Sequence, residues 1–152
     1  MSLVAVRPAV AADASRIVEF NLGLARETED KTLSPTVLLH GVQRALADPA
    51  RGRYYVAEVD GKVAGCLLLT TEWSDWRDGW FWWIQSVFVD PGQRGKGVYS
   101  ALHERVRAEA LAAGDVVGLR LYVEKGNVRA QRTYHKLGMG ETAYLLFEEI
   151  FD

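Results

Sequence analysis

The segment Ile84–Leu102 constrains this chain more than any other. It reads as an apolar strand, Ile84-Gln85-Ser86-Val87-Phe88-Val89, then the turn Asp90-Pro91-Gly92, then Gln93-Arg94-Gly95-Lys96-Gly97, then a helix opening at Val98-Tyr99-Ser100. The first N–H groups of a helix have no intrahelical acceptor, and the helix dipole adds partial positive charge there. Glycines remove the Cβ atoms that would hold a ligand away from those amides. The stretch therefore reads as an anion cradle suited to a phosphate or pyrophosphate, with Arg94 and Lys96 adding positive charge. An ordinary strand–turn–helix corner also favours Pro and Gly, so the cradle needs support from elsewhere in the chain.

Two common phosphate motifs fit poorly. A P-loop needs Ser or Thr after its lysine, to hold a magnesium ion, and here Gly97 follows Lys96. The dinucleotide fingerprint comes closer, with Gly95-x-Gly97-x-x-Ser100 and Glu124 as the ribose acid. That fold, however, turns directly from strand to glycine, whereas several residues separate Val89 from Gly95. The chain also ends at residue 152, too soon for two nucleotide-binding halves.

Composition narrows the class. With 152 residues, 49% hydrophobic and 25% charged, the chain can bury the core of one globular domain. A net charge of −2 without a basic cluster argues against nucleic acid as a partner. No apolar run approaches a membrane span and no signal-peptide pattern opens the chain, so a cytoplasmic protein without a membrane partner is expected. The single cysteine, Cys66, lies in an apolar strand pattern and reads as a core thiol. His40, His103 and His135 share no metal-ligand spacing, and no metal is expected.

Taken in order, Leu3–Arg7 alternates as a first strand. Asp13 is placed to cap a helix with the stripe Ile17, Val18, Phe20 and Leu24, running to about Thr28. Ser34-Pro35 opens a second helix, stopped near Asp48-Pro49. Two strands, Tyr54–Val59 and Lys62–Thr71, flank Asp60-Gly61, a strong hairpin signal. A polar and aromatic turn leads into Trp80-Phe81-Trp82-Trp83-Ile84, apolar on both faces as a central strand should be. All five tryptophans lie between Trp73 and Trp83. After the glycine loop, Val98, Ala101, Leu102, Val106 and Ala110 keep helical spacing to Gly114, and Gly118–Glu124 alternates as a strand. Asn127 caps a short helix ended by Gly138, and Ala143–Phe151 reads as a last strand.

Two stretches then combine. After a strand comes Arg94-Gly95-Lys96-Gly97-Val98-Tyr99. Downstream comes Asn127, then Ala130, then Tyr134, then Leu137-Gly138-Met139. At this separation they resemble the GNAT superfamily of acyl-CoA-dependent N-acetyltransferases, and the order of elements agrees over the whole chain. Tyr99 departs from the family's usual small residue, so its side chain must point away from the pyrophosphate. The resemblance implies an α/β fold with a mixed central sheet of six to seven strands, flanked by about four helices, in a single domain spanning residues 1–152.

It also implies acetyl-CoA as co-substrate and direct attack by a primary amine, on a small molecule or a peptide. The pantetheine arm would lie between Ile84–Val89 and Gly118–Glu124, pairing with the backbone of Val87 and Val89 beside Phe88. The pyrophosphate would rest on Arg94, Gly95, Lys96, Gly97, Val98, Tyr99 and Ser100, and Asn127 would support the cofactor site. Tyr134 matches the family's general acid, and its ordinary pKa near 10 keeps it protonated at neutral pH. Where many relatives carry a glutamate, this chain has Gln85 and Ser86, which are poor bases. Glu72 is then the expected base, with Glu27 second. Glu27, Trp73, Asp75 and Gln85 are expected on the acceptor side, where acids, Glu29 among them, and the rings of Trp73 and Trp76 would favour a cationic amine. The alternative is a non-catalytic acyl-CoA-binding module of the same fold; a homodimer is also compatible with the sequence.

Overall fold

The structure, a computed structural model, describes residues 3–151; Met1, Ser2 and Asp152, which the expected domain includes, lie outside the described residues. The chain divides into two compact units, one up to Tyr122 and one from Val123.

The first unit holds a five-stranded mixed sheet in the order β1-β2-β3-β4-β5. Its strands are β1 (Val4–Pro8), β2 (Arg53–Val59), β3 (Lys62–Ser74), β4 (Gly79–Val89) and β5 (Val116–Arg120). The first four pair antiparallel, and β5 runs parallel to β4. The β2–β3 hairpin turns at Asp60 and Gly61, with φ of 53° and 76°, the pair of left-handed residues that a two-residue turn needs.

Helices cover both faces. On one side α1 (Ala14–Glu29) and α2 (Pro35–Ala47) bury Ile17, Phe20 and Val42 against Tyr54, Val56, Cys66 and Phe88. On the other, α3 (Val98–Ala113) buries Val98, Leu102, Val106 and Ala110 against Tyr55, Ala57, Leu67, Leu69, Trp82 and Ile84. Ser34 caps α2, its Oγ accepting from Val37 N at 3.3 Å. Asp13 stands at the start of α1 without making the expected cap bond. Its carboxylate instead accepts from Arg7 at 2.8 and 3.0 Å and from Val10 N at 2.7 Å. A guanidinium offers two bonds at once, which a lone helix amide cannot match.

The second unit contains α4 (Val128–Lys136), capped by Asn127, whose Oδ1 accepts from Ala130 N at 3.2 Å. From Met139 to Phe151 the described residues form neither helix nor strand. The sheet therefore has five strands, and the expected six to seven are not formed. Apolar residues in Ala143–Phe151 suggested a strand, but a strand exists only when an edge pairs with it. Likewise β5 covers Val116–Arg120, not Gly118–Glu124; alternation marks a strand but cannot say where its ladder begins.

Among the described residues no helix is long and apolar enough to cross a membrane.

Candidate active site

The site starts with an irregularity in β4. Opposite β3, Leu68 pairs with Gln85 and Cys66 with Phe88, so one residue of β3 faces two of β4, Ser86 and Val87. That is a β-bulge, and Ser86 takes a left-handed φ of 52° to make it. An inserted residue reverses which side chains face which side. Before the bulge Trp82 and Ile84 lie against the α3 cluster; after it Val87 and Val89 do, and Phe88 turns to the α1 side. The Cys66 thiol donates to Ser86 O at 3.7 Å, and burial pushes this thiol up to about 12.

The parallel partner stops short. β5 pairs with Trp80, Phe81, Trp82 and Trp83 only, so β4 from Ile84 to Val89 has no ladder on that side among the described residues. This unpaired edge runs directly into the loop. Asp90 pins the loop's entry: Oδ1 accepts from Gly92 N at 3.1 Å and Oδ2 from Arg16 Nη2 at 2.7 Å. Those two donors, the Gly92 amide first, hold its carboxyl below the ordinary aspartate range.

A short 3-10 turn, Pro91–Gln93, leads to Gly95 and Gly97, both at φ 78°. A Cβ on either would meet open space, so the glycines are needed for the backbone conformation rather than for room. Gly97 caps α3, and its carbonyl accepts from Ala101 N at 3.0 Å. Val98, Tyr99 and Ser100 form the first turn of α3, where helix amides lack an intrahelical acceptor.

The side chains around this cradle are already engaged. Arg94 donates from Nε to Val89 O at 3.0 Å and from Nη2 to Glu27 at 2.7 Å, and lies 5.2 Å from the Phe88 ring centre. Lys96 reaches Gln93 at 3.2 Å. Tyr99 turns along its own helix, its hydroxyl 3.1 Å from His103 Nδ1, and packs toward the core. His103 is buried, which lowers its pKa and keeps the ring neutral. This Tyr–His contact was missed in the sequence, although a spacing of four on one helix face would have allowed it.

Beyond the bulge, on the same side of β3 and β4 as Gln85, lies a second cluster. Glu72 Oε1 accepts from Trp83 Nε1 at 3.0 Å and from Arg120 Nη1 at 2.9 Å. Arg120 lies 3.6 Å above the Phe81 ring, and Trp83 and Arg120 form the last rung before β4 and β5 part. Gln85 donates to Thr70 Oγ1. Trp73 meets Trp80 edge to face at 4.9 Å, while Trp76 is 87% exposed.

The expected acceptor acids are thus spread over separate ion pairs: Glu27 with Arg94, Glu29 with Lys31, Glu72 with Arg120. Asn127 and Tyr134 belong to the second unit. Burial raises the Tyr134 hydroxyl above its ordinary pKa near 10, so it holds its proton at neutral pH. Among the described residues no group of three or more His, Cys, Asp or Glu is placed to hold a metal ion.

Against known proteins, residues 21–139 match the model of the acetyltransferase (GNAT) family. The chain belongs to that family. The matched segment includes the bulged strand, the glycine loop and the Asn127–Tyr134 helix. A crystal structure of a possible acetyltransferase from Clostridium difficile 630 is 42% identical, with a TM-score of 0.91 over 99% of each chain. A predicted acetyltransferase from Clostridium acetobutylicum, solved with acetyl-CoA, shares the fold at 18% identity, with a TM-score of 0.77 over 97% of this chain and 96% of that one. An uncharacterized N-acetyltransferase of Methanocaldococcus jannaschii is 31% identical over 85 residues, 56% of this chain. That match spans about half of the curated relative, 51% of its length.

Proposed function

We propose that the protein transfers an acetyl group from acetyl-CoA to a primary amine on a small molecule or peptide, by direct attack of the amine on the thioester. One observation carries this reading: among the described residues β4 from Ile84 to Val89 has no ladder on its β5 side, and it leads through the glycine loop into the N-terminus of α3 at Val98. An edge strand suits the amides of an extended pantetheine arm, and a helix start suits a pyrophosphate. Acetyl-CoA supplies the activated acyl group and a thiolate leaving group.

In this reading the amine nitrogen bonds to the acyl carbon, the carbon–sulfur bond breaks, and the thiolate takes the Tyr134 proton. The raised pKa of Tyr134 supports that role, since the acid must arrive protonated. The amine's proton goes to Glu72, directly or through water. Trp83 and Arg120 both hold Glu72 by Oε1, which would orient Oε2 for that task. Of the acids on the expected acceptor side, Glu27, Glu29 and Glu72 each already meet a cation of this chain, which weakens their pull on a cationic amine.

Measuring acetyl-CoA consumption over a panel of amines tests the reading. Tyr134→Phe should keep cofactor affinity and slow turnover by about 10–1000-fold. Unchanged turnover where chemistry limits the rate would reassign Tyr134 to packing. Glu72→Gln should flatten the alkaline rise of the rate. A second reading, an acyl-CoA-binding module without turnover, is favoured by Gln85, whose amide engages Thr70 where a basic carboxylate would serve catalysis. Tight acetyl-CoA binding with no consumption across the panel would select it.

A further inference from the structure

Tyr99 is the second residue of α3, inside the turn where the proposed function seats the pyrophosphate. The family's usual residue at this position is small, so the phenol ring has to be put somewhere. Side chains on a helix lean toward its N-terminus. At the second position that lean carries a ring over the first amides, the groups an anion would use. The helix start has no room to shift instead. Val98 is buried, and a Cβ on Gly65 would come within 3.0 Å of Val98 Cγ1, so α3 already lies hard against β3. Gly97 brings no capping side chain to the amides. Access to them therefore turns on where the Tyr99 ring points.

The ring is drawn the other way, toward the next turn. Its hydroxyl is 3.1 Å from His103 Nδ1, and the two rings meet edge to face at 5.7 Å and 61°. Tyr99 is half-buried against the α3 cluster, and His103 is 1% exposed. Burial keeps the His103 ring neutral, so one of its nitrogens offers a lone pair. The reaction proposed above makes no use of His103. The other residues that α3 buries, Val98, Leu102, Val106 and Ala110, are apolar, and a buried imidazole is costly there without a hydrogen bond.

We propose that His103 is a positioning residue for cofactor binding: its Nδ1 accepts from the Tyr99 hydroxyl and so keeps the phenol ring clear of the first amides of α3. The inference rests on the acetyl-CoA reading and adds to it a residue that acts through its neighbour. Without the acceptor the ring is free to lean back, and a pyrophosphate has to displace it before binding. The penalty is that of one hydrogen bond, about 3–10-fold in affinity.

Calorimetric titration of acetyl-CoA into variants of the full chain tests this. His103→Leu fills the site with apolar atoms, and Tyr99→Phe keeps the ring but loses the hydroxyl. Each should weaken binding about 3–10-fold. The double variant should be no weaker than either single one, because both remove the same bond. In a Tyr99→Ala background no ring is left to swing, and His103→Leu should then change affinity by less than about twofold. A histidine that only packs would give a loss that persists without the ring. The ring nitrogen resonances of His103 supply a readout that needs no cofactor: Nδ1 should appear unprotonated and hydrogen-bonded, and should move in Tyr99→Phe. Wild-type affinity in either single variant, additive losses in the double one, a loss that survives in the Tyr99→Ala background, or an Nδ1 signal unmoved by Tyr99→Phe would overturn the positioning role. Any of these, in a chain that binds acetyl-CoA, leaves the acetyl-CoA reading standing. A wild-type chain that binds no acetyl-CoA would overturn both.

Discussion

The two halves of β4 have similar composition and opposite fates. From Trp80 to Trp83 the strand is laddered on both sides, to β3 and to β5, with Phe81 and Trp82 each 8% exposed. From Ile84 to Val89 it is laddered on one side only, bulged at Ser86, and half-buried at Gln85, Ser86, Val87 and Val89. The first half is a stability element. The second leaves backbone groups and a strained residue available beside the glycine loop. What separates them is the end of a neighbour, β5, and one inserted residue. Both halves are rich in the residues that form strands.

If that division of labour is right, truncation in the closed half should give the largest effect. Trp82→Ala is expected to cost about 3–5 kcal/mol, measured by urea denaturation, because a large ring leaves a cavity in the α3 cluster. The milder Val87→Ala, at a half-buried site in the open half, should cost about 1 kcal/mol. Equal losses would erase the distinction.

Next in size is the cradle at the end of the open half. Gly97→Asp should weaken acetyl-CoA about 10–100-fold by calorimetric titration, placing a like charge against the phosphates. Gly97→Ala separates charge from backbone strain, which costs about 1–2 kcal/mol at a left-handed φ. Equal cofactor affinity in wild type and Gly97→Asp would remove the cradle from the argument.

The bulge itself gives a smaller effect. At φ 52° a β-branched side chain is badly placed, so Ser86→Val should destabilise by about 1–2 kcal/mol. Ser86→Gly, at home in that region, should change stability by less than about 1 kcal/mol. If valine is tolerated as well as glycine, the bulge is not strained in solution.

The remaining effect is a pH dependence, confined to alkaline solution. Burial raises Cys66 to about 12, so the folded thiol stays neutral while an unfolded one ionises near 8.5. Its contribution is complete below the unfolded pKa and lost as the pH rises from there toward the folded value. The slope reaches up to ~1.4 kcal/mol per pH unit. Tyr54 and Tyr55, also raised to about 12 by burial, add the same sign above about 10. The stretch between roughly 8.5 and 10 therefore reports on Cys66, and Cys66→Ala should flatten it in denaturation curves.

Much of the local structure was legible in the residues. Asp60-Gly61 marked the hairpin, Ser34-Pro35 the start of α2, Gly114 the end of α3, and Asn127 the cap of α4. Each signal works through its own backbone angles or through a hydrogen bond three residues long. The glycine loop was legible for the same reason, since two left-handed residues before a helix are a local requirement. The partners of the site residues were not. Arg94 meets Glu27 from 67 positions away, Arg16 meets Asp90 from 74, and Arg120 meets Glu72 from 48. No periodicity encodes such meetings. The acids read as one attractive cluster consequently emerge as the anchors of separate cations.

By itself, then, the sequence determined the order of helices and strands as far as α4, the phosphate-type loop and the family, because these depend on residues that are neighbours along the chain. Only the tertiary structure decided where β4 parts from β5, which side Val87 and Phe88 face, and that Ala143–Phe151 forms no strand. A ladder is a relation between two strands, and an inserted residue reverses every side chain after it. Both are settled when segments distant in sequence pack against each other, where burial and pairing outweigh local preference.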